Sequence, residues 1–190
     1  VHGTGATPVI ERFDDVLAAA RDGSGDAFTV IWHDLVRPVA AFLRSRGVDD
    51  VDDLTNEVFL SVFTGLARFR GDQAAFRSWV FTIAHRRAVD SWRRRARSVA
   101  VEPLGDDDEG TPVPSAEDGA LDTLSRERVL AVLGTLTEEQ RDVLTLRVVA
   151  DLTIEQVAEV VGKQVGAVKA LQRRGLAAVR RTLEREGVPL

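Results

Sequence analysis

Val51, Leu54, Val58, Phe59, Val62, Phe63 and Leu66 recur at α-helical spacing over about four turns, and this stripe constrains the fold more than any other feature. A helix with one such apolar face has to bury it against neighbours. Two shorter stripes precede it. Phe13, Val16, Leu17 and Ala20 are closed by Gly23, and Phe28, Ile31, Leu35, Val39 and Phe42 end at Gly47, with a kink expected at Pro38. After a loop reading RFRGDQAA, the residues Phe76, Trp79, Val80, Ile83 and Ala84 open a fourth helix that runs into arginines. Four helices with these faces can enclose one core.

The texture changes between Val99 and Asp122, which hold half of the chain's six prolines and neither lysine nor arginine. A stretch so poor in apolar residues cannot offset its ordering entropy, and it reads as a flexible acidic linker. Helical spacing resumes with Leu124, Val129, Leu130 and Leu133, then Val143, Leu144, Leu146 and Val148. It continues through Ile154, Val157, Ala158 and Val161 to Val168, Leu171, Leu176 and Val179. No segment alternates with period two. The expected fold is all-α: two small helical domains, residues 1–98 and 123–190, joined by a flexible acidic linker at 99–122.

The second domain carries a helix-turn-helix pattern. Thr153 suits an N-cap with Gln156 as its capping-box partner, Ala158 suits a close helix crossing, and Gly162 suits a left-handed helix end. The helix after the turn carries Gln164, Lys169, Gln172, Arg173 and Arg174 away from its apolar seam, and amide and basic side chains read base edges and phosphates. A helical hairpin with a solvated basic face is the plainer alternative.

Net charge is −5, so any nucleic-acid contact has to come from local basic surface. The fourth helix supplies one. Arg86, Arg87, Arg93, Arg94, Arg95 and Arg97 repel one another, and Asp90 offsets only part of that cost. Duplex phosphates would offset the rest, while a solubilising helix end is the alternative. Of the aromatics beside it, Phe69 and Phe76 flank the loop. Trp79 shares a face with Phe76, Val80 and Ile83 and belongs in a core rather than on a base-stacking platform. Asp49, Asp50, Asp52, Asp53 and Glu57 lack the order of a calcium loop. They either favour a helix N-terminus through its dipole or dock a basic partner.

The chain has no cysteine, which excludes disulfides, thiolate zinc sites and cysteine nucleophiles. His33 and His85 fit no metal or triad spacing, so neither a metal, a cofactor nor catalysis is expected, and His85 reads as a surface or DNA-facing residue. The N-terminal residues lack the apolar core of a signal peptide, and no apolar run approaches the roughly 20 residues that span a bilayer. A cytoplasmic protein without membrane insertion is expected.

The order of these parts resembles the sigma-70 family in its compact extracytoplasmic-function form. Asp53-Leu54-Thr55-Asn56-Glu57-Val58-Phe59, Phe69-Arg70-Gly71, Phe76-Arg77-Ser78-Trp79, Ile83-Ala84 and Asp90-Ser91-Trp92-Arg93-Arg94 look like its region two. Residues 133–174 resemble region four. The resemblance implies a transcription initiation factor whose partners are core RNA polymerase, promoter DNA and an anti-sigma factor. Asp53, Leu54, Asn56, Glu57 and Phe59 would dock on the coiled coil of the largest polymerase subunit, with further contacts on the enzyme's upstream face. Arg70, Gly71, Phe76, Arg86, Arg87, Asp90, Arg93 and Arg94 would engage the minus-ten element and its melted strand. Gln164, Val165, Ala167, Lys169, Gln172, Arg173 and Arg174 would read the minus-thirty-five element as duplex. The acidic linker would mimic nucleic acid through Asp106, Asp107 and Asp108.

The chain departs from the family at four places. Arg86 stands where asparagine is frequent, Thr137 where proline is usual, and Gln164 where serine is usual. Ala170-Leu171-Gln172 shifts the apolar seam by one residue, with Val168, Leu171 and Leu176 still expected on one face. The competing reading is a self-sufficient helix-turn-helix regulator, most naturally a dimer on paired half-sites.

Overall fold

The computed structural model describes residues 10–99 and 120–187. The expected linker, with Asp106 to Asp108, lies outside the described residues except at its two ends. There are eight α-helices among the described residues: α1 Phe13–Arg21, α2 Gly25–Ser45, α3 Val51–Gly65, α4 Gln73–Val99, α5 Ala120–Gly134, α6 Glu138–Val148, α7 Ile154–Val161 and α8 Val165–Arg185. A single 3₁₀ turn, Leu66–Arg68, follows α3.

Local chemistry sets most of the helix starts. Ser24 caps α2, accepting from the Ala27 amide, and Asp50 caps α3, accepting from the Asp53 amide at 3.0 Å. Thr137 and Gln140 form a capping box on α6, and Thr153 and Gln156 form one on α7. Thr137, one of the departures from the resembled pattern, thus acts as a cap. Helix α4 starts three residues ahead of Phe76, because the Asp72 carboxylate accepts the Ala75 amide at 2.8 Å. Helix α2 passes through Pro38 without ending there. Helix α5 begins at Ala120, inside the stretch expected as linker.

Helices α1 to α4 enclose a core of Phe13, Leu17, Ile31, Leu35, Val39, Phe42, Val58, Phe59, Val62, Phe76, Val80 and Phe81. Phe69 meets Phe76 edge-on at 5.2 Å and stacks on Trp79 at 5.1 Å, and Phe13 lies 5.4 Å from Phe76. A Cβ at Gly65 would stand 2.9 Å from the Trp79 ring, so α3 approaches that ring as only glycine allows.

Helices α6, α7 and α8 pack through Val143, Leu146, Leu152, Val157, Val168 and Leu171. Two expectations fail here. Val148 is 77% exposed and Leu176 is 51% exposed, so neither belongs to the seam. Gly175 takes the buried place, where a Cβ would stand 2.9 Å from Leu144 Cδ1. The seam therefore runs Val168, Leu171, Gly175 and Thr182.

The two groups of helices pack on each other, α2 against α6 and α4 against α7. Polar groups hold much of this seam. Arg46 at the end of α2 pairs with Asp142 and Glu138 of α6, with only 5% of the arginine side chain and 8% of the Asp142 side chain exposed. His85 Nε2 lies 3.3 Å from the same Asp142 oxygen. Arg77 donates to the Ala150 carbonyl at 2.6 Å and reaches Asp34 at 3.4 Å. Burial pushes the Asp34 carboxyl up, against the lowering influence of Arg77. Gln156 Nε2 donates to the Ala74 carbonyl at 3.0 Å. Arg141 donates to the Ser45 carbonyl at 3.2 Å. His85 is thus a seam residue rather than the surface or DNA-facing residue expected.

Phe76→Ala removes a fully buried ring at the centre of an aromatic cluster. It is expected to lower stability by about 3–5 kcal/mol in urea unfolding.

Candidate functional site

Helix α3 has two faces. Leu54, Thr55, Val58, Phe59 and Val62 are buried, while Asp53, Asn56, Leu60 and Thr64 are exposed and Glu57 is half-buried. Positions 53, 56, 57, 60 and 64 follow helical spacing and form one outward stripe. Of the five residues expected to dock a partner, Asp53, Asn56 and Glu57 lie on it. Leu54 and Phe59 point into the core and are corrected to structural residues. Leu60, 66% exposed, lies on the same stripe, although the motif does not mark it. Its signal in the sequence is position i+7 from Asp53, an apolar residue on the polar side.

The start of this stripe is electrostatically strained. The charge of Asp50, then hydrogen bonding with the Asp50 side chain, push the Asp53 carboxyl above its ordinary value, and the charges of Glu57 and Asp52 add to it. A cationic partner would relieve that repulsion.

The loop and α4 form the second surface. Arg70 folds back and donates to the carbonyls of Ala67 at 2.8 Å and Phe69 at 2.7 Å. Arg21 of α1 donates to the same Phe69 carbonyl at 2.6 Å, so two guanidiniums fix the loop entry. Gly71 has φ 149°, and a Cβ there would meet Ala75 Cβ at 2.9 Å. Phe76 is buried, which corrects its expected role as a DNA-contacting residue.

Along α4, Arg86, Asp90, Arg93 and Arg97 share one exposed face at spacings of four, three and four. Arg93 lies 4.0 Å from Asp90, and Arg97 donates to the Arg93 carbonyl at 3.3 Å. Arg94 is also exposed. Arg87 differs: it donates to Ser61 at 2.9 Å and reaches Glu57 at 3.5 Å, tying α4 to α3. Arg95 pairs with Asp49 ahead of α3. The arginine repulsion read from the sequence is thus partly balanced inside the molecule.

The third surface is the start of α8. Gly162 adopts φ 67° and ends α7, whose amide partners are Ala158 and Glu159. Gln164, Ala167, Lys169, Arg173 and Arg174 are exposed, while Val165 and Gln172 are half-buried. The Gln172 Oε1 atom is buried without a hydrogen-bond partner. Lys163, just ahead of the helix, donates to Glu139 at 2.6 Å. Together the faces offer acid and leucine on α3, arginine on α4, and amide and base on α8. These are groups suited to binding charged and apolar partners.

Two family models match the chain. Residues 31–98 match Sigma-70 region 2, and residues 132–181 match Sigma-70, region 4. The ECF RNA polymerase sigma factor BldN of Streptomyces coelicolor is 28% identical over 174 residues, covering 90% of this chain and 66% of BldN. The ECF RNA polymerase sigma factor SigD of Mycobacterium tuberculosis is 30% identical over 173 residues, covering 87% of this chain and 81% of SigD. Among solved structures, CnrH in complex with the cytosolic domain of CnrY shares the fold with TM-score 0.66 and 24% identity, over 92% of this chain and 99% of that one. The sigma factor RpoE of Bartonella quintana, solved with the anti-sigma factor NepR, aligns with TM-score 0.64 and 18% identity, over 83% of this chain and 96% of that one.

Asp53→Asn keeps the Asp50 cap and removes one carboxylate from the cluster. The raised Asp53 value means its ionised form costs stability above its folded-state pKa, a cost that fades as pH falls through it. The variant is expected to melt higher than the parent at pH 7, with the difference shrinking toward acid in a pH series of thermal scans.

Proposed function

The chain belongs to the sigma-70 family, in its extracytoplasmic-function group, and from that premise we propose that it binds core RNA polymerase, directs it to particular promoters and assists strand opening. The observation that carries this reading is the outward stripe of α3. Acidic residues start it, Asn56 and Glu57 continue it, and an exposed leucine ends it, on a helix whose other face is locked in the core. This is the form of a docking surface for a cationic amphipathic partner, with an apolar anchor rimmed by charge. The coiled coil of the largest polymerase subunit is the partner that the family implies, with further contacts on the upstream face.

The arginine face of α4 then engages the minus-ten element. Opening the duplex costs a few kcal/mol for each extruded base, which phosphate contacts, strand capture and polymerase docking together offset. The exposed start of α8 reads the minus-thirty-five element in the major groove. The protein acts by binding selectively to the open state, and the polymerase performs the chemistry. We assign residues 1–98 and 123–190 to these two tasks. The working compartment is the cytoplasm, where polymerase and promoter are, and an anti-sigma factor belongs to the same reading. Among the described residues no helix is long and apolar enough to cross a membrane.

The test is run-off transcription with core polymerase and genomic promoter fragments. The chain is expected to direct discrete transcripts that core alone does not make; their absence contradicts the reading. Leu60→Ala lies outside the core, and is expected to weaken polymerase binding by about tenfold while thermal stability holds. Equal affinities of parent and variant would remove Leu60 from the interface.

Arg93→Ala is expected to flatten the dependence of promoter binding on log salt by about one unit of slope, the share of one phosphate. An unchanged slope, measured by titration of the polymerase complex, excludes Arg93 from the phosphate contacts.

A further inference from the structure

We propose that Lys163, in the turn between α7 and α8, is a further ligand for DNA phosphate, and that Glu139 of α6 holds it in reserve until a duplex takes it. The inference rests on the function proposed above, in which α8 meets duplex DNA.

Lysine is rare in this chain. Of 25 basic residues only Lys163 and Lys169 are lysines, and both lie in the α7–α8 turn or the first turns of α8. The other cations are arginines, whose planar forks hold partners in fixed geometry, as Arg87 holds Ser61 and Glu57. An ammonium is a compact charge with three donors on a flexible stem. Lysine is therefore the type suited to changing partners.

Position agrees with residue type. Lys163 directly precedes Gln164, the N-cap of α8, and follows Gly162, which ends α7. Its backbone is fixed, the amide donating to the Ala158 carbonyl at 2.9 Å. Its side chain is 33% exposed, and Nζ donates to Glu139 Oε1 at 2.6 Å. In a helix-turn-helix the second helix enters the groove by its N-terminal residues while the first crosses the backbone, which brings phosphates past the turn. At that place the surface is an open concavity walled by Glu155, Glu159, Gly162, Lys163, Gln164 and Val165. Two of these residues are carboxylates, and Lys163 is the one cation in the wall.

Charge decides between the two partners. While Lys163 stays on Glu139, an arriving phosphate meets Glu155 and Glu159 with no free cation beside them. Once Lys163 turns to the phosphate, that contact is charge-paired, and the Glu139 side chain, already 57% exposed, returns to water. An ion pair so open to solvent contributes little to stability. A phosphate contact also releases a condensed counterion, so the exchange runs toward DNA as salt falls. Glu139 thus weakens duplex binding without touching the duplex.

The test measures binding of the full chain to a fluorescein-labelled duplex of mixed sequence across a low-salt series. Lys163→Gln keeps the stem and a donor for Glu139 but removes the charge. It is expected to lower the slope of log affinity against log salt by about 0.9, the share of one phosphate, in the parent and in Glu139→Gln alike. Glu139→Gln lies outside the Thr137–Gln140 capping box, and is expected to tighten binding by about two- to fivefold with its melting temperature held. An unchanged slope in both backgrounds removes Lys163 from the phosphate contacts. A slope lowered only in Glu139→Gln shows that the carboxylate never releases the lysine. Either result, or no duplex binding at low salt, overturns the proposal.

With only two lysines in the chain, acylation by an amine-reactive ester followed by mass spectrometry reads each one separately. Duplex is expected to protect both, and Glu139→Gln to speed acylation of Lys163 in the free chain; protection of Lys169 alone counts against the exchange. None of these measurements uses polymerase, so run-off transcription judges the function separately. A chain that initiates normally with an unchanged slope sinks this inference alone.

Discussion

Three rings, Phe69, Phe76 and Trp79, close the turn from α3 to α4, and the placement of every proposed contact in the first half depends on them. Their centroids lie 5.1 to 5.7 Å apart, and the ring of Phe13 completes the cluster from α1. Fixing this turn fixes the rotation of both helices about their axes. Leu54 and Phe59 then face inward while Asp53 and Leu60 face outward, and the Arg86 to Arg97 stripe turns away from the core. The aromatics beside the basic stretch are therefore the frame on which the exposed arginines of α4 are carried. Arg21 and Arg70, bonded to the Phe69 carbonyl, hold the loop at the edge of that frame.

Like charges gather at the start of α3 and along α4 and are only partly balanced inside the molecule. Asp50 both caps α3 and raises the Asp53 carboxyl, so the helix gains a start and a repulsive cluster from one residue. On α4 the arginines are only partly balanced, Arg87 by Ser61 and Glu57, Arg95 by Asp49 and Arg93 weakly by Asp90. Arg87 and Arg95, bridged to α3 and the residues ahead of it, position the helices, while Arg86, Arg93 and Arg97 stay on the exposed stripe. Within the second half, Gly175 lets α8 close on Leu144 and so decides which side of α8 faces solvent.

Much of this was legible in the sequence because it is local. Helical spacing found the helices, and Thr153 with Gln156 and Gly162 marked the turn of the helix-turn-helix, each as observed. The start of α4 was misjudged because Asp72 acts as a cap outside the apolar stripe. Val148 and Leu176 were misplaced because spacing alone cannot tell which side of a helix finds a neighbour; Gly175, with no side chain, gave no hydrophobic signal although it lies at the contact. Leu54 and Phe59 show the same difficulty at the candidate site, since a motif records which residue types recur and not which of them face outward. The seam was invisible for a different reason. Arg46 and Asp142 are 96 positions apart, and no local pattern pairs an arginine after one helix with a carboxylate inside another.

The central claim is that the outward stripe of α3 grips polymerase while α4 and α8 hold separate parts of one promoter. A cryo-EM map of the chain with core polymerase on a partly opened promoter measures this most directly. The account predicts Asp53, Asn56 and Leu60 against the enzyme, the Arg86 to Arg97 face on the opened element, and α8 in a major groove upstream. A map with the α3 stripe facing solvent, or with DNA held by neither α4 nor α8, would contradict it.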